Sequence, residues 1–243
     1  MTDMKYSEYE HAGGEDIVRL KAEYSNRELR LAGSDIYSPF NPANLFILQS
    51  RARETLNLLR RQGITDLKGK RILELGCGSG GVLQEYLGYR AEPGRLHGTD
   101  LLPYRVREAH ENVPGVPLTC GDGQNLPVAD SQFDLILQYT VFTSVLDEAV
   151  RRNLAAEMLR ALKPGGLIVW YDFWLNPSNR QTRGIRPAEI RRLFPGCAFD
   201  FRKITLAPPL ARRVVPLSWL AAHLLEKLSV FNSHYLVGIR KKG

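Results

Sequence analysis

The chain has 243 residues, 44% of them hydrophobic and 24% charged, enough for one large α/β domain or for two small domains with thin cores. Aromatics at 9% and mixed-sign charge exclude wholesale disorder, and 21 Gly and 14 Pro scattered without a period exclude collagen-like or low-complexity chains. The net charge of +7 permits an anionic partner, nucleic acid or a membrane surface, without requiring one.

That charge is unevenly placed. Residues 1–40 carry 5 basic and 8 acidic side chains, residues 180–243 carry 13 and 3, and the stretch between is electrically balanced. Three cysteines, Cys77, Cys120 and Cys197, are too few and too far apart for a disulfide framework or a zinc site. No apolar run is long enough to span a bilayer, and the N-terminal stretch lacks the apolar core of a signal peptide. A reduced, cytoplasmic protein is expected.

In chain order, residues 1–40 are polar and Tyr-rich without a sustained period, and read as a mobile or lid-like leader. A helix is predicted from Pro42 to about Gln62, with Gly63 as its stop. RILEL (71–75) is a strand that runs into GCGSGG (76–81), and VLQEYLGY (82–89) is a helix. The alternation continues through strand 95–100, helix 103–113, strand 116–123, strand 133–141, helix 145–163 and strand 167–173. Strands alternating with helices predict right-handed crossovers and a parallel sheet covered on both faces, in a single domain over 41–243. In the tail, 187–194 reads as a helix and 197–206 as a strand. Residues 217–228 place leucines at helical spacing, and 234–241 alternates like a last strand; two strands without a crossover of the earlier type suggest an antiparallel addition at the sheet edge.

The stretch ILELGCGSGG carries the most information. A glycine-rich turn between strand and helix lets backbone approach a ligand closely. Gly76, Gly78 and Gly81 fit one common spacing and Gly76, Gly78 and Gly80 another, so the glycines alone do not select a ligand. Three acids do. Glu74, two residues before the first glycine, would repel a pyrophosphate but suits a cationic amino group. Asp100, closing the second strand, is placed to accept hydrogen bonds from ribose hydroxyls. Asp122, after the third strand, suits an exocyclic adenine amine. An adenosyl ligand with a charged amino-acid end explains all three, whereas NAD explains one.

These motifs in this order resemble the class I S-adenosylmethionine-dependent methyltransferases. LELGCGSGG is similar to their first motif, GTD (98–100) to the second, GDGQNLPVADSQFDLIL (121–137) to the third and fourth, and EMLRALKPGGLIVW (157–170) to the segment through the fifth strand. The resemblance covers about 70–172 and lies nearest the small UbiE-like group. The leader and the segment after 173 are similar to small methyltransferases of surface-polysaccharide biosynthesis. The resemblance implies a Rossmann-like, doubly wound, seven-stranded α/β sheet with an antiparallel last strand, a cofactor core at 70–172 and an N-terminal helical lid. It also implies S-adenosyl-L-methionine as cofactor, with Glu74, Gly76, Cys77, Gly78 and Gly80 around its methionine end. Asp100 and Leu101 would border the ribose, Asp122 and Gly123 the adenine, and Gln138 the amino-acid end.

Methyl transfer from a sulfonium is an in-line displacement, so the protein mainly positions the nucleophile and excludes water. A hydroxyl acceptor also needs a base. An antiparallel last strand begins near the carboxyl ends of the parallel strands, which makes His234 one candidate base, and Asp172, ending the fifth strand, is the other. Tyr139, Thr143 and Arg183 could orient an acceptor. No His and carboxylate cluster has metal-ligand spacing, so no metal is expected. The fourth strand ends in LQYTVFTS rather than a D/N-P-P-Y/F sequence, which counts against exocyclic base amines.

The expected reaction is methylation of a hydroxyl on a small-molecule or glycan-type acceptor, free or lipid-linked. Rival readings are an RNA methyltransferase using the basic tail, an NAD-dependent oxidoreductase, and a cofactor-binding scaffold without activity. The basic segment 207–231 has three expected uses: packing on the sheet or over the pocket, peripheral contact with a membrane, or a homodimer contact. Nucleic acid is disfavoured, because no aromatic-basic interleaving forms a stacking platform.

Overall fold

The computed structural model describes residues 14–175, 179 and 181–242. Helix α1 spans Gly14–Leu31 and α2 spans Pro42–Arg61. They are followed by β1 (Ile72–Leu75), α3 (Gly81–Gly88), β2 (Leu96–Asp100), α4 (Pro103–Asn112), β3 (Leu118–Cys120), β4 (Phe133–Tyr139), α5 (Glu148–Ala161) and β5 (Leu162–Phe173). The tail adds α6 (Pro187–Leu193), β6 (Ala198–Leu206), α7 (Pro208–Val214), α8 (Trp219–Lys227) and β7 (Asn232–Arg240).

The sheet order is β3-β2-β1-β4-β5-β7-β6. Strands β1 to β5 pair in parallel, and β7 pairs antiparallel with both β5 and β6. The doubly wound sheet with a reversed last strand is therefore present. The two tail strands add at the β5 edge of the sheet, with β7 between β5 and β6 and β6 outermost. Helix α6 carries the chain one strand position too far, and β7 returns to complete the hydrogen bonds of both neighbours.

Alternation along the strands divides two cores. Leu73, Leu75, Ile136, Ile168 and Trp170 face α5 and α6. Ile72, Leu135, Leu137, Val169 and Leu236 face the α2 and α3 side. A third cluster joins Ala43 and Phe46 of α2 to Ala211, Val215 and Ala222 of the tail. Helix starts follow local chemistry. The Asn41 side chain accepts from the amides of Ala43 and Asn44, and Asp147 accepts from those of Ala149 and Val150.

The helical lid expected in the leader had no bounds in the sequence reading, and helix α7 was not expected. Residues 14–31 form a regular helix although only Leu20 is buried, so its periodicity is weak in the sequence. The first thirteen residues of the leader lie outside the described residues. Helix α7 begins at Pro208 and Pro209, which look like breakers but are tolerated in a first turn.

The segment between β4 and α5 borders the site and is held by a buried cation. Arg151, 1% exposed, donates through Nε to Val145 O (2.7 Å) and through Nη1 to Glu189 Oε1 (2.7 Å). Replacing it leaves buried acceptors without a donor, so Arg151→Ala should cost about 3 kcal/mol in denaturant unfolding. A loss within about 0.5 kcal/mol would mean water replaces the guanidinium at no cost.

Candidate active site

The site lies beyond the carboxyl ends of β1, β2 and β4, where the strand order reverses. The amides of Gly76 and Cys77 both donate to Thr99 O, at 2.8 and 2.9 Å, binding the β1–α3 turn to β2. Gly76 has φ +72°, and a Cβ there would come within 2.5 Å of Val141 Cγ2. Gly78 has φ +54°, and its amide donates to Asp100 Oδ2 at 2.8 Å. Asp100 Oδ1 accepts from the Leu102 amide at 3.0 Å. Each Asp100 oxygen keeps lone-pair capacity for a further donor. Asp122 accepts from the amide and the side-chain nitrogen of Gln124, at 2.9 and 3.0 Å.

These residues floor a cavity of about 570 Å³. Of the residues expected at the cofactor, Gly76, Gly78, Asp100, Leu101, Asp122 and Gly123 line it, together with Tyr139. The roof is α1, which contributes Leu20, Tyr24, Glu28 and Leu31. Asp16 Oδ2 accepts from the amides of Leu146 and Asp147, at 2.9 and 3.1 Å, and Arg19 donates to Ser144 O at 2.6 Å. Arg105 pairs with Glu28 at 3.1 Å and lies over the Tyr24 ring. Sequence reasoning placed a lid here but named none of its contacts, which join positions more than seventy residues apart.

The other expected residues are buried behind this lining. Gly80 packs against Ala109 and Val113 of α4, and Cys77 is buried beneath the turn. Gln138 accepts from the Val141 amide at 3.0 Å and reaches toward Asp172. Glu74 is 1% exposed, and its Oε2 has no hydrogen-bond partner. Burial pushes its carboxyl well above the usual carboxylate range, against the opposing pull of Arg51.

Arg51 is a residue the sequence reading missed. It comes from α2, ion-pairs with Glu85, and lies over the rings of Tyr139 and Tyr171 at 5.3 and 5.7 Å. Its Nε also lacks a partner. Behind the glycine turn, then, a buried acid and a half-buried guanidinium, whose Nε is itself buried, each keep one unfilled valence. A zwitterionic α-amino acid end supplies one ammonium and one carboxylate, which complements that pair. With Asp100 and Asp122 along the floor, the residues present fit S-adenosylmethionine.

The two expected bases lie outside the cavity lining. Asp172 is buried, with one oxygen taking the Thr143 hydroxyl and the Phe173 amide, and the other taking the Thr143 amide. Burial lifts its carboxyl to about 7 despite these donors. His234, opposite Phe173 across the β5–β7 pair, stacks on Tyr171 at 4.6 Å, with Nδ1 2.9 Å from Ser233 Oγ. Burial, with the charge of Arg51, holds its pKa down to about 3, so the ring is neutral near pH 7. Thr143 is committed to Asp172, and Arg183 ion-pairs with Glu189.

The family model described as a methyltransferase domain matches residues 72–166. A phthiotriol/phenolphthiotriol dimycocerosates methyltransferase of Mycobacterium ulcerans is 36% identical over 130 residues, which cover 52% of this chain and 46% of that protein. A fatty-acid O-methyltransferase of Mycolicibacterium smegmatis is 37% identical over 110 residues, covering 44% of this chain and 38% of that protein. The chain thus spans about half the length of the curated relatives it matches. Among solved structures, phosphoethanolamine N-methyltransferase 2 of Haemonchus contortus, in complex with S-adenosyl-L-methionine, superposes with a TM-score of 0.56 at 20% identity. The match covers 79% of this chain and 53% of that one. Fold and site define a Rossmann-like, cofactor-binding methyltransferase domain. Residues 72–166 are a methyltransferase domain, similar in fold to the class I S-adenosylmethionine-dependent methyltransferases, whose cofactor is S-adenosylmethionine.

Asp172 gives a test that needs no substrate. The folded protein holds this proton more tightly than the unfolded chain does. The carboxyl therefore favours folding below the ordinary Asp range, and that contribution is lost as pH rises through about 7. Between about pH 4 and 7, the wild type should lose stability relative to Asp172→Asn by up to about 1.4 kcal/mol per pH unit. Parallel stability curves for the two proteins would show that the carboxyl does not titrate in this window.

Proposed function

We propose that the protein transfers a methyl group from S-adenosylmethionine to a hydroxyl of a lipid-type acceptor, either a free lipid alcohol or a lipid-linked glycan. The observation that carries the cofactor half is the unfilled Glu74 and Arg51 pair behind the glycine turn. Two things support the acceptor half. The relatives are named for a triol and for fatty-acid O-methylation, and Ile17, Leu20, Leu31 and Val145 give the cavity an apolar wall.

When bound, the cofactor supplies an electrophilic methyl group on a sulfonium. In this reading Glu74 takes the ammonium, Arg51 the carboxylate, Asp100 the ribose hydroxyls and Asp122 the adenine amine. Helix α1, latched through Asp16 and Arg19, keeps water from the approach. The hydroxyls of Thr140 and Ser144, both on cavity-lining residues, orient the acceptor. Asp172 acts as a positioning residue, since its oxygens are occupied in joining the ends of β4 and β5. His234, a weak base at a pKa of about 3 and screened by Tyr171, holds the Tyr171 ring in place.

Binding assays separate the two ends of the amino-acid group. Arg51→Met should weaken S-adenosylhomocysteine binding about tenfold or more while sparing its decarboxylated analogue, because a charged hydrogen bond is lost only where a carboxylate is present. Equal loss for both ligands would remove Arg51 from the carboxylate.

Activity is tested with labelled S-adenosylmethionine against long-chain alcohols, hydroxy fatty acids, lipid-linked sugars and bulk tRNA. Label on a lipid hydroxyl is expected. Salt-sensitive labelling of RNA alone would establish the RNA reading, and NADH binding more tightly than S-adenosylmethionine would establish the reductase. Asp172→Asn and His234→Ala should each keep kcat within about tenfold of wild type. A loss of about a hundredfold or more with the fold intact would make that residue the general base.

A further inference from the structure

We propose that α8 and its flanks dock the protein onto the surface of an anionic lipid bilayer. The helix has two unlike faces. Ala222 is buried, and the Trp219 and His223 rings pack against Phe46 of α2 at 5.5 and 4.8 Å. The opposite face is a leucine stripe at helical spacing that nothing in the described chain covers. Leu217, Leu220, Leu224 and Leu228 are 86, 70, 55 and 55% exposed, and Val230 and Phe231 extend the stripe beyond the helix. A run of six large apolar side chains with this much exposure marks a contact surface rather than scattered surface residues.

Charge selects the occupant. Arg212, Arg213 and Lys227 are exposed and make no ion pair among the described residues. Glu226, the sole acid between 207 and 231, turns inward to Ser50 and Arg53. The outward face is therefore apolar and cationic with no acid on it, the pattern of a helix lying in the headgroup region. A second copy fits poorly, because a face-to-face dimer would oppose Arg212, Arg213 and Lys227 to their like-charged equivalents. Among the described residues no helix is long and apolar enough to cross a membrane, so contact would lie along the surface.

The test is co-sedimentation of the full chain with vesicles of phosphatidylcholine alone and of phosphatidylcholine with phosphatidylglycerol. Binding to the anionic vesicles is expected, weakening as salt rises. Both L220D/L224D and R212E/R213E should lower the partition coefficient by more than about tenfold, with unchanged melting temperature. Turnover of a short-chain, water-soluble alcohol should be unaltered in both variants, which separates this surface from the acceptor assignment. Wild-type protein that stays in the supernatant, or that binds neutral and anionic vesicles equally, overturns the proposal. So does a concentration-dependent dimer, or a stoichiometric protein complex, that both variants abolish while vesicle binding is absent.

Discussion

The candidate site rests on how closely the β1–α3 turn approaches its neighbours. Gly76 passes Val141 with no room for a Cβ, and its amide, with that of Cys77, is spent on Thr99 O. That fixes the turn to β2 and presents the Gly78 amide to Asp100. Pairing an amide with a carboxylate orients that carboxylate without exhausting it, so one bond both secures the loop and aims an acceptor into the cavity. The other acid of the floor, Asp122, is held in the same manner by Gln124. Each of these two acids is thus anchored by backbone or side-chain donors before any ligand arrives, which lowers the ordering cost of binding.

Behind the floor lies a second layer with different physics. Glu74, Arg51, Glu85, Tyr86, Tyr139 and Tyr171 form a buried polar cluster on the α2 side of the sheet. Burial raises the phenol pKa of Tyr171 to about 12; it works against the charge of Arg51, which Glu85 and the neighbouring rings restore, so the cluster keeps its cation. Low-dielectric surroundings make the unfilled valences of Glu74 and Arg51 costly, and a ligand that fills them gains correspondingly. The neutral His234 ring stacked on Tyr171 belongs to this supporting layer rather than to the cavity wall.

The +7 net charge is a property of the tail and not of the cofactor half. In the folded chain much of it is spent locally: Arg183 and Arg151 share Glu189, Arg240 bonds the Gln62 and Gly165 carbonyls, and Lys241 bonds those of Leu159 and Leu162. What stays uncommitted around α8 is small in number but sits beside exposed leucines.

The strand and helix alternation, the cofactor class, the glycine turn and the floor acids Asp100 and Asp122 were legible in the sequence. Each is encoded within a few residues, by period, by glycine spacing or by position at a strand end. The amphipathic spacing of 217–228 was legible too, but not which face it would show to solvent. Folding decided what depends on distant segments meeting. It seated β7 inside the sheet and brought α1 over the cavity through Asp16 and Arg19. It brought the half-buried Arg51 within electrostatic reach of Glu74 and drew Asp172 and His234 behind the lining. A side chain's type sets what it can bond, but its partner, its burial and hence its pKa are fixed only when the rest of the chain closes around it.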